Sequence, residues 1–129
     1  MDVSLALEKH GIRSTSQRVA VASYVLATKE HPSADLVWER VKDELPSISR
    51  ATVYNTLSLF VEQGLLRAYS ITEGATVYDP RTDPHHHFID ESTGVIHDLP
   101  WDALRVEGID ELEGFDVADF QVVLRGRPR

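Results

Sequence analysis

Cysteine is absent from all 129 residues. That absence excludes disulfides, thiolate zinc sites and thiol redox chemistry, so any metal must be held by nitrogen and oxygen. Long apolar runs are also missing, and none approaches the roughly 20 residues that cross a bilayer. No membrane-spanning helix and no membrane partner are expected. The N-terminal Met1-Asp2-Val3-Ser4-Leu5 opens with an acid and lacks the basic and apolar regions of a secretory signal. A cytoplasmic location is the expectation that follows.

Net positive charge is the third absence. The formal charge is −8, which weighs against nucleic-acid binding until its distribution is read. Through Tyr69 eight bases face eight acids, whereas from Ser70 onward five arginines face thirteen acids. The first half is neutral and the second carries the whole imbalance. With 42% hydrophobic and 26% charged residues, the composition is that of a globular protein.

The first half reads as helices with local punctuation. Ser4 to His10 forms a short helix stopped by Gly11, and Thr15 or Ser14 caps a second that runs to about Ala27. Ser33 caps a third, which carries Asp35 in its first turn and an apolar face of Leu36, Val37, Val41 and Leu45, and ends at Pro46. Ser49 caps a fourth, in which Val53, Leu57, Phe60 and Val61 recur at helical spacing before Gly64. Leu65 to Ile71 and Thr76 to Tyr78 read as two strands joined through Glu73-Gly74. The pattern is a set of helices followed by a β wing.

Opposite the apolar stripe of the fourth helix lie Arg50, Tyr54, Asn55 and Ser58. Arginine and asparagine have the best bidentate fit to guanine and adenine edges, while Ser49, Thr52 and the helix N-terminus suit phosphates. A helix that presents these groups near its start, after a helix and a turn, follows helix-turn-helix logic. Arg13 and Arg18 are further candidates for the same surface. An ordinary solvated helix face is the alternative reading.

Pro80-Arg81-Thr82-Asp83-Pro84 interrupts both periodicities and forms a natural hinge. Residues 1–79 and 85–129 are thus the expected domains. The second is too small to bury a stable core alone, so a homodimer is expected. Its first segment is the hairpin "HHHFIDESTGVIHD", followed by an acidic stretch around Leu104 to Leu112 and a strand from Phe115 to about Arg125.

In a strand His85 and His87 share a face and His86 takes the other. A four-residue loop, Glu91 to Gly94, pairs Asp90 with Val95 and puts His87 opposite Asp98. Two imidazoles and a carboxylate suit Mn2+, Fe2+ or Zn2+. Asp79 and His31 are candidates to complete the shell, and each alone also reads as an ordinary loop residue. His86, His97, Asp90 and Glu91 are assigned to solvent or to the opposite face of the sheet.

"GIRSTSQRVAV", "HPSADLVWERV", "SISRATVYNTLSLFVEQGLL", "VYD" and "HHHFIDESTGVIHD" follow, in order and spacing, the pattern of the ferric uptake regulator (Fur) family of metal-dependent repressors. The chain resembles that family over nearly its whole length. The resemblance implies an α+β fold, with a winged helix-turn-helix domain that reads pseudo-palindromic operator DNA and a small α/β dimerisation domain. It also implies one regulatory divalent metal per subunit at the hinge, on His31, Asp79, His85, His87 and Asp98, and no enzymatic activity.

The departures from the family pattern carry information as well. Many members hold a structural zinc on two CxxC pairs, but Asp90 and Thr93 occupy the first pair's positions and the chain ends in "LRGRPR". No structural zinc on four cysteines is expected. The further site of many relatives falls on Pro84, His86 and Arg105, a poor set. Cysteine-free members include peroxide sensors resembling PerR and iron or haem regulators resembling Irr. Aspartate at the position of Asp98 is associated in the family with peroxide sensing through oxidation of a histidine ligand, which favours the first. Arg50 and Asn55 differ from the commonest residues at their positions and leave the operator sequence open. A His/Asp metalloenzyme, a metal buffer and a plain dimerisation module remain as more distant alternatives.

Overall fold

The computed structural model describes residues 2–72 and 75–129. Its contacts divide the chain into two compact units, Met1–Thr82 and Asp83–Arg129.

In the first unit, helices α1 (Val3–Lys9), α2 (Ser16–Val25), α3 (Ala34–Val41) and α4 (Arg50–Glu62) precede strands β1 (Arg67–Thr72) and β2 (Ala75–Asp79). Each helix begins where an oxygen-bearing side chain accepts an otherwise unpaired N–H. Thr15, Ser33 and Ser49 accept from the amides of Arg18, Leu36 and Thr52. Asp2 does the same for Leu5 and caps α1, so that helix begins one residue before the expected Ser4.

The helix ends depart from the expected stops. α2 stops at Val25 because Ala27 and Thr28 both turn back to the Tyr24 carbonyl. α3 stops at Val41, well short of Pro46, because Glu44 and Leu45 both bond the Val41 carbonyl in a tightened last turn. After α4, Gly64 takes the left-handed conformation at φ +78°. The amides of Leu65 and Leu66 then close on the Phe60 carbonyl. Their N–H groups therefore belong to the helix end, and β1 starts only at Arg67.

The apolar faces converge on one core. Leu7, Val21, Val25, Val37, Val53, Leu57 and Phe60 are fully buried, with Leu66 and Tyr78 beside them. Burial also pushes up the Tyr78 phenol. β1 and β2 pair antiparallel, with Arg67 opposite Asp79 and Tyr69 opposite Val77. The expected turn at Glu73-Gly74 lies outside the described residues. β2 is tied to the start of α3 by a Ser33–Val77 bridge and by the Tyr78 amide donating to the Pro32 carbonyl at 2.9 Å. That tie brings the loop before α3 beside the last residue of β2.

The second unit is a three-stranded sheet ordered β4-β3-β5, built from β3 (His86–Asp90), β4 (Ile96–Leu99) and β5 (Val123–Gly126). β3 and β4 form the expected hairpin. The Asp90 amide donates to the Val95 carbonyl, His87 stands opposite Asp98, and Phe88 stands opposite His97. Asp90 organises the loop by accepting from the Ser92 hydroxyl and amide, which holds its carboxyl below the usual aspartate range. The contribution of that contact is present at neutral pH and is lost only as the pH falls below the ordinary aspartate range.

One expectation in this unit is corrected. The strand expected from Phe115 is confined to Val123–Gly126, because it runs parallel to β3 and pairs only with His87 to Asp90. The preceding residues, with Gly114, Asp116 and Asp119, are poor strand formers. The acidic stretch contributes a single short 3-10 turn at Ile109–Glu111.

Candidate metal centre and nucleic-acid interface

The candidate ligands fall into two groups, one in each unit. In the first unit His31 and Asp79 are both buried, and His31 Nε2 lies 3.3 Å from Asp79 Oδ2. The Ser33–Val77 bridge explains their meeting. Asp79 is further fixed by the Arg81 amide, which donates to its Oδ1 at 2.9 Å. His31 has φ +50°, a left-handed conformation uncommon outside glycine and enriched at functional sites.

In the second unit His85, His87 and Asp98 converge. His85 Nε2 lies 3.4 Å from Asp98 Oδ1 and His87 Nε2 lies 3.5 Å from the same oxygen. The two rings are edge to face, with centroids 4.6 Å apart. Both imidazoles are inaccessible, while the Asp98 side chain is about a third exposed. The Nδ1 atoms are engaged on the far side of the rings. His85 Nδ1 is 2.8 Å from the Asp83 carbonyl oxygen, which can only accept a hydrogen bond.

With Nδ1 donating, a neutral His85 turns a lone pair at Nε2 towards an anionic oxygen. Two acceptors at that distance repel unless a proton or a cation stands between them, and the burial of both imidazoles raises the need for such compensation. The donor set therefore fits a divalent ion of the kind that accepts imidazole nitrogen and carboxylate oxygen. His31 and Asp79 offer the same pair of donors in the first unit.

The middle histidine behaves differently. His86 is on the opposite face of the sheet, as alternation requires, but it is buried rather than solvated. Its ring stacks on Trp101 at 4.5 Å, with Phe120 against the pair, and its Nδ1 accepts from the Val122 amide at 2.9 Å. Asp90 shares the parity of His86 in β3 and so falls on the expected opposite face, where it too is buried rather than solvated. His97 and Glu91 are exposed, as expected.

The candidate DNA-contacting residues lie in the segment before α2, on α2, and on α4 and its N-cap in the first unit. Ser49 caps α4, and its hydroxyl also contacts the Thr52 hydroxyl at 2.9 Å. Arg18 reaches back to the Arg13 carbonyl at 3.0 Å. Thr15, Gln17, Arg18, Thr52 and Asn55 line one open groove between α2 and α4. Exposed Arg50 and Tyr54 both converge on α3.

Asp35 is the residue that sequence reasoning missed. Its Oδ1 accepts from Arg50 Nη1 at 3.3 Å and from the Tyr54 hydroxyl at 3.4 Å, and the Arg50 guanidinium lies 4.4 Å from the centroid of the Trp38 ring. The sequence signals only an acid in the first turn of α3, where it favours the helix dipole. An exposed ion pair of this kind is worth about 0–1 kcal/mol. Asp35→Asn should therefore release Arg50 and raise duplex-DNA affinity by up to about fivefold, read by fluorescence anisotropy of a labelled operator in the presence of Mn2+. An unchanged affinity would make Asp35 a bystander.

Four helices and a two-stranded wing are thus followed in the chain by a small sheet that gathers two histidines and an aspartate. The model of the ferric uptake regulator family matches residues 9–125, and the chain belongs to this family. It is 34% identical over 119 residues to the peroxide-responsive repressor PerR of Staphylococcus epidermidis, covering 91% of this chain and 76% of that one. Among solved structures, the Campylobacter jejuni peroxide stress regulator is 34% identical with a TM-score of 0.68, covering 100% of this chain and 98% of that chain. A zinc-bound manganese uptake regulator is 26% identical with a TM-score of 0.73, covering 100% of both chains. Members of this family are transcriptional regulators rather than enzymes. Among the described residues, no helix is long and apolar enough to cross a membrane.

Proposed function

We propose that this chain is a metal-dependent repressor that binds operator DNA as a homodimer and responds to peroxide. The single observation that carries the metal reading is the convergence of His85 Nε2 and His87 Nε2 on one Asp98 oxygen. The ligand set is His31, Asp79, His85, His87 and Asp98, and the ion is Fe2+ or Mn2+, with Zn2+ as a further candidate. A bound ion supplies positive charge that neutralises the carboxylates and holds the donors together.

The residues themselves account for the switch. His31 and Asp79 belong to the unit with the reading helix, and His85, His87 and Asp98 belong to the other. Sharing one ion would restrict the reading heads of a dimer to one separation. A pseudo-palindromic operator demands such a fixed spacing. For typical coupling this favours the DNA-competent state by about 1–3 kcal/mol, roughly 5–150-fold. Protons compete for the same imidazoles, so metal affinity should fall on acidification.

Homodimerisation is supported by the surface of the second unit. Leu112, Phe115 and Val117 are exposed there, while the main hydrophobic cluster among the described residues draws only on the first unit. Arg13, Arg18, Ser49, Arg50, Thr52, Tyr54 and Asn55 are the proposed DNA contacts. As a repressor of chromosomal genes the protein would act in the cytoplasm.

Peroxide responsiveness rests on the Asp98 carboxylate and on the similarity to the peroxide-responsive repressor. The test is the intact mass of Fe2+-loaded protein before and after peroxide, followed by peptide mapping. One added oxygen on His31 or His87, accompanied by loss of operator binding, is the expected result. No added oxygen would overturn the peroxide response.

A further inference from the structure

Gln121 precedes β5 and lies 34 residues from His87 in sequence, yet its Oε1 sits 2.8 Å from His87 Nδ1. The parallel pairing of β5 with β3, which sets Val123 beside His87, brings it there. The His87 amide donates to the Val122 carbonyl at 3.1 Å and locks the backbone of the same stretch. His85 has an equivalent partner in the Asp83 carbonyl. One histidine is thus oriented by its neighbouring backbone and the other by a distant side chain.

We propose that Gln121 is the positioning residue for His87. Its carbonyl oxygen accepts a hydrogen bond from Nδ1–H and so holds the ring in the tautomer whose Nε2 lone pair faces Asp98. Which ring nitrogen carries the proton is decided by the hydrogen bond made at the other. A histidine held in the ligating tautomer before the ion arrives pays no cost of proton relocation or ring rotation, and losing such an outer partner typically weakens metal affinity by about 10–100-fold. The inference rests on His87 being a ligand, as proposed above. Gln121 itself touches neither the ion nor DNA in this scheme.

Two replacements separate positioning from packing. Gln121→Met keeps length and volume but removes the acceptor, whereas Gln121→Glu keeps an acceptor oxygen. The nitrogen-15 shifts of the His87 ring in the full-length, metal-free protein report the tautomer, and competition with a chelator reports Mn2+ affinity. In the wild type and in Gln121→Glu, His87 should carry its proton on Nδ1. In Gln121→Met the proton should move to Nε2, with Mn2+ affinity about 10–100-fold lower. Wild-type ring shifts and Mn2+ affinity in Gln121→Met would overturn the role of Gln121 and leave the metal site standing. An Nε2-protonated His87 in the wild type would also overturn it. Failure of the wild type itself to bind Mn2+ would instead remove the metal reading on which the inference depends.

Discussion

His85→Ala should abolish the Mn2+ dependence of operator binding. His85 is fully buried, its Nδ1 is committed to the Asp83 carbonyl and its Nε2 meets Asp98. Alanine thus removes a preorganised donor and leaves no side chain nearby in its own segment to replace it, because His86 faces the other side of the sheet. Metal affinity should fall by more than the roughly 10–100-fold typical of losing an outer-shell partner. The metal-dependent gain in DNA affinity, roughly 5–150-fold for typical coupling, should collapse to nearly none. Anisotropy titrations of an operator duplex, with and without Mn2+ at fixed salt, measure both quantities. His97→Ala is the matched control, since His97 is exposed opposite Phe88 and should retain the full metal response. Retained metal dependence in His85→Ala would overturn the proposed switch.

Phe60→Ala should cost about 3–5 kcal/mol of unfolding free energy. Phe60 is fully buried, and it lies among Leu7, Val21, Val25, Val53 and Leu57 in the core of the first unit. Removing the ring deletes its transfer free energy and leaves a cavity that a core built from four short helices closes only in part. Against a typical domain stability of about 5–15 kcal/mol, such a loss brings the reading head close to unfolding. Urea unfolding followed by far-ultraviolet circular dichroism would show it as a lower midpoint with an unchanged slope. Operator binding should weaken at every Mn2+ concentration, in contrast to His85→Ala, in which only the metal response disappears. A cost below about 1 kcal/mol would mean that the core around α4 is packed differently.

Features set by near neighbours in the chain were legible in advance. The caps at Thr15, Ser33 and Ser49 depend on a hydroxyl meeting an amide three residues ahead. The hairpin register depends on one loop length and on alternation, which sufficed to place His87 opposite Asp98. Helix ends were less legible, because α3 ends through backbone bonds to Val41 that no side chain announces. The start of β1 was misplaced for a similar reason, since Leu65 and Leu66 serve the end of α4 first.

The amino-acid sequence by itself determined the helical head and its wing, the exclusion of thiolate chemistry, the concentration of acid in the second half, and the family. Alternation and loop length, both local properties, also put His85, His87 and Asp98 on one face of the hairpin, whereas His31 and Asp79 were joined to them only by the family resemblance. Tertiary structure alone decided that Asp35 holds Arg50 and Tyr54, that His86 is sealed against Trp101, and that Gln121 orients His87. Those contacts join residues 15 to 34 positions apart. They exist because α3 packs against α4, β4 folds back along β3 and β5 runs parallel to β3, and such tertiary pairings leave no periodic trace along the chain.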